Sequence, residues 1–388
     1  MTVAVSPPDV PIWGAYQFPR LSRLPDGRIL LTYGVNADEV TSHGLPSARV
    51  VSDDEGATWT HLPMERTPSE PPGMLTVLPN GDALSAAMSR PIPVSKLRVP
   101  AEPFARIVVN KKEEQSVYLL KDLPPECAVG WALHRLPAGE TEWREERGTV
   151  RCTGDEVRFV DEEYGLMVLP RFQGRLRVAP DGALWCMSGL FQTEGGELAD
   201  KWPLTVLRST DSGRNWDVHS AVPYAPDRGA DPDADKRNGF GEPEVEFLPD
   251  GSAFALMRTT NPYGPAPSYW TRSTDNGVTW SPPSVFDDCG VRPRLLTLKN
   301  GVTLASYGRP GLYLRATADP DGQNWDPRIT IIEPSPCKLG HDTCSYTGLL
   351  ALSDHTALLA YSEFDLHRAD GKRIKKIRVR KVAAARRM

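Results

Sequence analysis

The side chains best able to do chemistry in this 388-residue sequence are arginines, a few carboxylates and one tyrosine. Arg20, Arg90, Arg171, Arg258, Arg292, Arg294 and Arg309 offer guanidinium forks, which bind carboxylates through paired hydrogen bonds. Asp38, Glu39, Glu242, Glu244, Asp342 and Glu363 are candidate acids or bases. Gln17, Asn36 and Gln192 add neutral hydrogen-bonding groups, His43 and His341 titratable rings, and Tyr346 a phenol. Gathered around one mouth, this set would attract an anionic ligand. Taken singly, each residue reads as a solvated loop charge, so the chemistry depends on elements that bring them together. No cluster has metal-ligand spacing, and no cofactor is expected.

The elements are legible as repeats. The motif Ser-x-Asp-x-Gly-x-x-Trp occurs at Ser52, Asp54, Gly56 and Trp59, at Ser209, Asp211, Gly213 and Trp216, and at Ser273, Asp275, Gly277 and Trp280. Worn copies run from Pro137 to Trp143 and from Asp319 to Trp325. Such a box suits a hairpin tip: Asp accepts hydrogen bonds from its own turn, Gly takes positive φ, and Trp folds back as an apolar plug. A second signal, Asp-Gly or Asn-Gly between apolar strands, appears at Asp26-Gly27, Asn80-Gly81, Asp181-Gly182, Asp250-Gly251 and Asn300-Gly301, with a weaker turn at Asp354-His355. These turns recur roughly every 50–70 residues with one gap of about 100, the signature of propeller blades of four antiparallel strands.

Six turns imply an all-β, six-bladed β-propeller occupying 1–388 as one domain. Blades are expected at 16–59, 73–143, 171–216, 242–280 and 292–325, with a sixth from about Cys344. The long gap marks an insertion around 92–168, covering roughly 92–130 and 145–168. The basic run Arg373 to Val382 alternates Ile377 and Val379 with Arg378 and Arg380, as an outer strand would, and Thr2-Val3-Ala4-Val5 is expected to close the ring beside it. In such a ring the start of each first strand and the end of each second strand open on one face. All the residues of the opening paragraph occupy those positions.

The boxes resemble those of the sialidase (neuraminidase) superfamily, and the likeness runs from Tyr16 to Glu363. Ser345-Tyr346-Thr347-Gly348-Leu349 resembles the strand that carries that family's tyrosine nucleophile. Glu242-Pro243 through Arg258 resembles the segment with its carboxylate partner and second arginine, Gly308-Arg309 the third arginine, and Tyr361-Ser362-Glu363 the end of the last blade. The resemblance implies retaining glycoside hydrolysis. Tyr346 would be the nucleophile, Glu242 (Glu244 as second choice) its base, and Asp38 the acid/base. Arg20, Arg258, Arg309, Arg292, Arg90, Gln17 and Glu363 would bind substrate. A sugar with a carboxylate on its anomeric carbon repels an anionic nucleophile, so a neutral phenol with a neighbouring base suits it. One departure stands out: Gln17 occupies the family's first arginine position, which points away from sialic acid itself and toward a uronate or another acidic or highly hydroxylated sugar. A polysaccharide lyase using Tyr346 or His43, and a binding propeller without catalysis, remain as alternatives.

The bulk composition narrows the partner class. A net charge of −5 argues against nucleic acid or anionic membrane as the main partner. No apolar run reaches the ~18 residues of a spanning helix. No signal peptide is visible, so a native Met1 implies a cytoplasmic protein and a removed leader a secreted one. Six cysteines lack zinc spacing; Cys337 and Cys344 are close enough to bridge in an oxidising compartment and otherwise read as free thiols.

Overall fold

A computed structural model describes residues 1–109, 113–189, 192–260, 265–334 and 342–385. Among these residues the regular structure is strand, with short 3-10 turns and no α-helix. Sheet 1 contains Gln17–Arg23, Ile29–Gly34, Ala48–Ser52 and Thr60–His61. Sheet 2 contains Leu75–Val77, Ala83–Ala86, Trp131–Leu136 and Arg144–Arg151. Sheet 3 contains Arg177–Val178, Leu184–Ser188, Leu204–Ser209 and Asn215–Val222. Sheet 4 contains Phe240–Phe247, Ala253–Thr259, Ser268–Ser273 and Ser284–Asp287. Sheet 5 contains Arg294–Thr297, Thr303–Gly308, Leu312–Thr317 and Ile329–Ile332. Sheet 6 contains Thr347–Ser353, Thr356–His367, Arg373–Ala383 and, beside the last of these, Thr2–Val5. The all-β expectation and the antiparallel four-stranded unit both hold.

Each Asp-Gly or Asn-Gly turn joins a first strand to a second, and each box joins a third to a fourth. In the second box Asp211 Oδ1 accepts from the N–H groups of Arg214 at 3.1 Å and Asn215 at 2.8 Å, while Ser209 Oγ accepts from Gly213 N–H at 2.9 Å. The box also does something the sequence does not announce. A methyl group on Gly277 (φ +78°) would run into the indole of Trp185 in sheet 3. Gly56 likewise sits against Leu358 of sheet 6, Gly213 against Leu84 of sheet 2, and Gly322 against Phe254 of sheet 4. The glycine therefore serves twice, relieving the turn and letting the tip seat on the preceding sheet.

The cores lie between sheets. Leu30 and Val51 meet Leu75 and Ala83 between sheets 1 and 2, and Leu84 and Leu133 meet Leu184 and Trp216 between 2 and 3. Trp185 and Met187 meet Ala255 and Tyr269 between 3 and 4, and Phe254 and Leu256 meet Leu295 and Tyr307 between 4 and 5. Leu304 and Leu314 meet Leu349 and Leu359 between 5 and 6, and Leu358 and Ile377 meet Leu31 and Val50 between 6 and 1. Inner strands are covered on both faces, which is why Ile29-Leu30-Leu31-Thr32-Tyr33 is buried throughout instead of alternating.

Two features differ from independent blades. Sheets 2 and 3 are fused into eight strands by a parallel pairing of Thr149–Arg151 with Asn215–Asp217. Ile92–Pro93, Ala105–Val109, Glu113–Leu119, Val157–Asp161 and Leu166–Val168 form a separate five-stranded sheet with a small core of Tyr118, Cys127, Val160 and Met167. The intervening Trp131–Arg151 hairpin belongs to sheet 2.

Candidate active site

Two irregular strands carry the centre. The first strand of sheet 4 bulges between Gly241 and Glu244, and Glu242 takes φ +47°. The first strand of sheet 1 bulges between Gln17 and Arg20, with Tyr16 at φ +55° and Phe18 at φ +57°. A bulge breaks strict alternation and re-aims side chains. Arg292 (φ +38°), Arg309 (φ +70°) and Ser345 (φ +59°), the residue before Tyr346, are also left-handed. Such backbone costs roughly 1–3 kcal/mol per residue, and its concentration here is an observed strain that packing elsewhere must offset.

At the centre Tyr346 Oη donates to Glu242 Oε1. Glu242 Oε2 accepts from Arg258 Nη1 at 2.9 Å and from the Arg292 backbone N–H at 3.1 Å. Burial opposes charge on Glu242, but Arg258, Arg292 and the Tyr346 and Arg258 hydrogen bonds outweigh it and hold its pKa at about 2. Burial, and then the Glu242 charge, push the Tyr346 phenol above its ordinary value, against Arg258, Arg309 and Arg292. The pair is thus a neutral phenol donating to a carboxylate. Phe18 packs on Tyr346 with ring centroids 4.7 Å apart. The Arg309 guanidinium carbon lies 5.6 Å from the Tyr346 ring centre and 5.1 Å from that of Trp13, and its Nη2 donates to the Cys344 carbonyl at 2.7 Å.

Asp38 lies within electrostatic range of Glu242, Arg171 and Arg309 and accepts from Trp13 Nε1 at 3.2 Å. Burial raises the Asp38 pKa and the Glu242 charge adds to the rise, while Trp13, Arg171 and Arg309 pull it down. Arg20 lies in the same field, within range of Tyr346, Arg292, Arg294 and Arg171. Asp38 and Arg20 both touch solvent, and the protein atoms packed around them still remove part of their hydration.

The other expected residues divide. Glu244 is fully buried and neutralised, bound by Arg294 Nη1 at 2.7 Å, Arg177 Nη2 at 3.3 Å and Arg175 Nη1 at 3.6 Å. It is an ionic tie between sheets 3, 4 and 5, so Glu242 alone of the two meets Tyr346. Gln17 is buried within its strand, not open to solvent, and among the described residues neither of its amide atoms has a hydrogen-bond partner. Glu363 falls away from the group: the second strand of sheet 6 runs on to His367, and Glu363, mid-strand, binds Arg378 at 2.5 Å. Arg90 is exposed, its backbone against Gly44, and among the described residues it joins none of the contacts above. Arg171 donates to His43 Nε2 at 3.2 Å, and burial and then Arg171 lower the His43 pKa to about 4. Gln192 instead ties down the 153–154 turn. Cys344 is a buried free thiol; Cys337 and His341 lie outside the described residues. Trp13 was missed altogether, because it precedes the first repeat and belongs to no motif. Among the described residues no group of His, Cys, Asp and Glu is arranged to hold a metal ion, and no helix is long and apolar enough to cross a membrane.

Residues 167–359 match the family model described as a BNR repeat-like domain. No curated protein matches the sequence. Among solved structures, a protein of unknown function from Dyadobacter fermentans DSM 18053 aligns with a TM-score of 0.61 at 19% identity, covering 98% of each chain. The Penicillium chrysogenum alpha-L-arabinanase complexed with arabinobiose aligns at 0.55 and 17% identity, over 98% of this chain and 97% of that one. The NanB sialidase from Streptococcus pneumoniae aligns at 0.50 and 15% identity, over 97% of this chain and 70% of that one. The Asp-box resemblance to the sialidase superfamily stands: the chain carries the BNR-type repeat and shares its fold with sialidases and an arabinanase.

Proposed function

We propose that this chain is a retaining glycoside hydrolase of sialidase-like type, acting on an acidic or polyhydroxylated sugar from the mouth of a single six-bladed propeller with an insertion around 92–168. The six four-stranded sheets, tied in sequence by six apolar clusters of which the last joins sheet 6 to sheet 1, support the ring. The observation that carries the chemistry is the hydrogen bond from Tyr346 to a Glu242 carboxylate held ionised by Arg258 and Arg292.

In this reading Glu242 takes the phenol proton as Tyr346 Oη attacks the anomeric carbon, and Asp38 protonates the departing oxygen. Water then attacks the glycosyl-tyrosine with Asp38 as base, and Glu242 returns its proton to the phenol. The raised pKa of Asp38 suits an acid, and the depressed pKa of Glu242 keeps a carboxylate beside the phenol. The same contrast favours a second assignment, in which Glu242 attacks directly and Tyr346 orients it by hydrogen bonding. A fluorinated, activated glycoside that accumulates the covalent intermediate separates the two: peptide mapping finds the sugar on Tyr346 in the first case and on Glu242 in the second. Neither labelled, with no reducing ends released from a panel of acidic and neutral glycosides, would remove the hydrolase reading. Release of unsaturated product would favour a lyase, for which His43, engaged by Arg171 and weakly basic, is a poor candidate. Binding without turnover would leave a carbohydrate-binding propeller.

A further inference from the structure

We propose that Lys375 is a positioning residue that holds Asp38 in place through Trp13; this rests on the hydrolase reading for the role of Asp38 as acid. After the strand Thr2–Val5 the chain follows Arg373–Ala383: Ser6 N–H donates to the Lys375 carbonyl at 2.9 Å and Asp9 N–H to that of Arg373 at 2.8 Å. It then meets the loop after the second strand of sheet 1, where Trp13 and Asp38 are joined twice. The Asp38 N–H donates to the Trp13 carbonyl at 2.8 Å, and the Trp13 indole N–H to Asp38 Oδ2 at 3.2 Å. Gly14 permits this approach. At φ +106°, a methyl group there would lie 2.4 Å from the Asn36 carbonyl oxygen and 2.5 Å from the Asp38 nitrogen.

Lys375 supplies the anchor. It is 4% exposed, and its ammonium donates to the carbonyls of Ile12 at 2.6 Å and Ala15 at 3.2 Å, on either side of Trp13. It also lies 5.1 Å from the centre of the Phe364 ring, which meets Trp13 edge-on with centroids 6.0 Å apart. Among the described residues no carboxylate pairs with this cation. Burying an ammonium without an anion is costly, and the buried residues beside it in the strand, Ile374 and Ile377, are apolar. Packing alone therefore does not call for a lysine here. What the lysine adds is a fixed pair of carbonyls bracketing Trp13, and with them the direction in which the indole reaches Asp38. Phe18 at 6.4 Å and the Arg309 guanidinium at 5.1 Å flank the same indole. The charged groups facing Asp38 are Glu242, Arg171 and Arg309; Lys375 is not one of them and itself faces the Cys344 thiol. Its route to the acid is mechanical.

Isotope labelling of the indole nitrogens tests this by NMR without any turnover. The chain has ten tryptophans, and the indole signal lost in Trp13→Phe is that of Trp13. In the wild type this signal should move as Asp38 titrates, and Asp38→Asn should abolish the movement. Lys375→Met should lose most of the movement and Lys375→Arg should recover part. Phe364→Leu, a milder change at the same contact, should reduce it too and serves if Lys375→Met does not fold. In rate measurements Lys375→Met should lower kcat about 10-fold or more with KM within about twofold. The double variant Lys375→Met/Trp13→Phe should match Trp13→Phe alone in rate and pH profile. A Trp13 signal indifferent to pH in the wild type, full movement in folded Lys375→Met and Phe364→Leu proteins, or additive effects in the double variant would each overturn the positioning role. Movement lost as expected in a protein that hydrolyses nothing would leave that role standing and sink the hydrolase reading.

Discussion

Glu242 and Glu244 are two residues apart and opposite in kind. Glu242→Gln should abolish turnover, because it removes the proton acceptor of Tyr346. It should lower the melting temperature less than Glu244→Gln does, since Glu242 is less buried and its charge is paired with Arg258 alone among the described residues. Glu244→Gln should do the reverse, since it leaves Arg294, Arg177 and Arg175 uncompensated in a dry layer. Breaking a buried ionic cluster costs about 3–5 kcal/mol, readable by denaturant unfolding. Tyr346→Phe should keep the fold and lose activity. A rate unchanged in that variant would end its role. Asp38 fixes the expected pH dependence: as the acid it must be protonated, so activity declines as pH rises through a value above the ordinary carboxylate pKa. Removing the Trp13 hydrogen bond with Trp13→Phe should move that limb to still higher pH, because the bond favours the charged form. A pH–rate profile of kcat/KM checks both. The sequence could nominate Glu242, Arg258, Arg309 and Tyr346 because their motifs lie at strand ends. It ranked Glu242 over Glu244 only through the family resemblance, since a bulge decides which of the two faces the phenol, and it could not find Trp13, which only the folded chain carries to Asp38.

At the scale of the element, the box is both a turn and a joint. Gly277→Ala would force a side chain into left-handed backbone and against Trp185, and should cost about 2–4 kcal/mol while sparing kcat. A melting temperature equal to wild type would show that the tip does not rest on sheet 3. The box aspartates also set the acid stability. Hydrogen bonds from Thr58 and Thr279 lower Asp54 and Asp275 from 3.8 to about 2. A carboxylate depressed in the folded state contributes stability above its unfolded pKa and loses it as pH falls through the folded one, so thermal melts should drop between about pH 4 and pH 2. The turn chemistry was readable because it is local, needing only Asp, Gly and Trp at fixed spacing. The docking of each tip was not, because Trp185 lies some ninety residues from Gly277 in the chain (roughly two repeats).

For the whole molecule, the net charge is −5, while Arg20, Arg171, Arg258, Arg292 and Arg309 all lie within electrostatic range of Tyr346. Rates on an acidic glycoside should therefore fall several-fold between about 0.05 and 0.5 M salt, while rates on a neutral one hold, in initial-rate measurements of kcat/KM. Equal salt dependence for both would mean that the field plays no part in capture. The antiparallel four-stranded unit and its strand order were legible because repeats announce themselves. The fusion of sheets 2 and 3 and the second, separate sheet within 92–168 were not, since neither repeats anything.

The Met1 ammonium donates to the Val379 carbonyl across 378 residues, and Thr2 pairs with Arg378. On the ribosome the strand Thr2–Val5 has no partner until Arg373–Ala383 emerges, roughly 20–80 s later at ordinary elongation rates. Until then the face of sheet 1 that packs on sheet 6 stays uncovered, an apolar surface around Leu31 and Val50 that the last sheet alone closes.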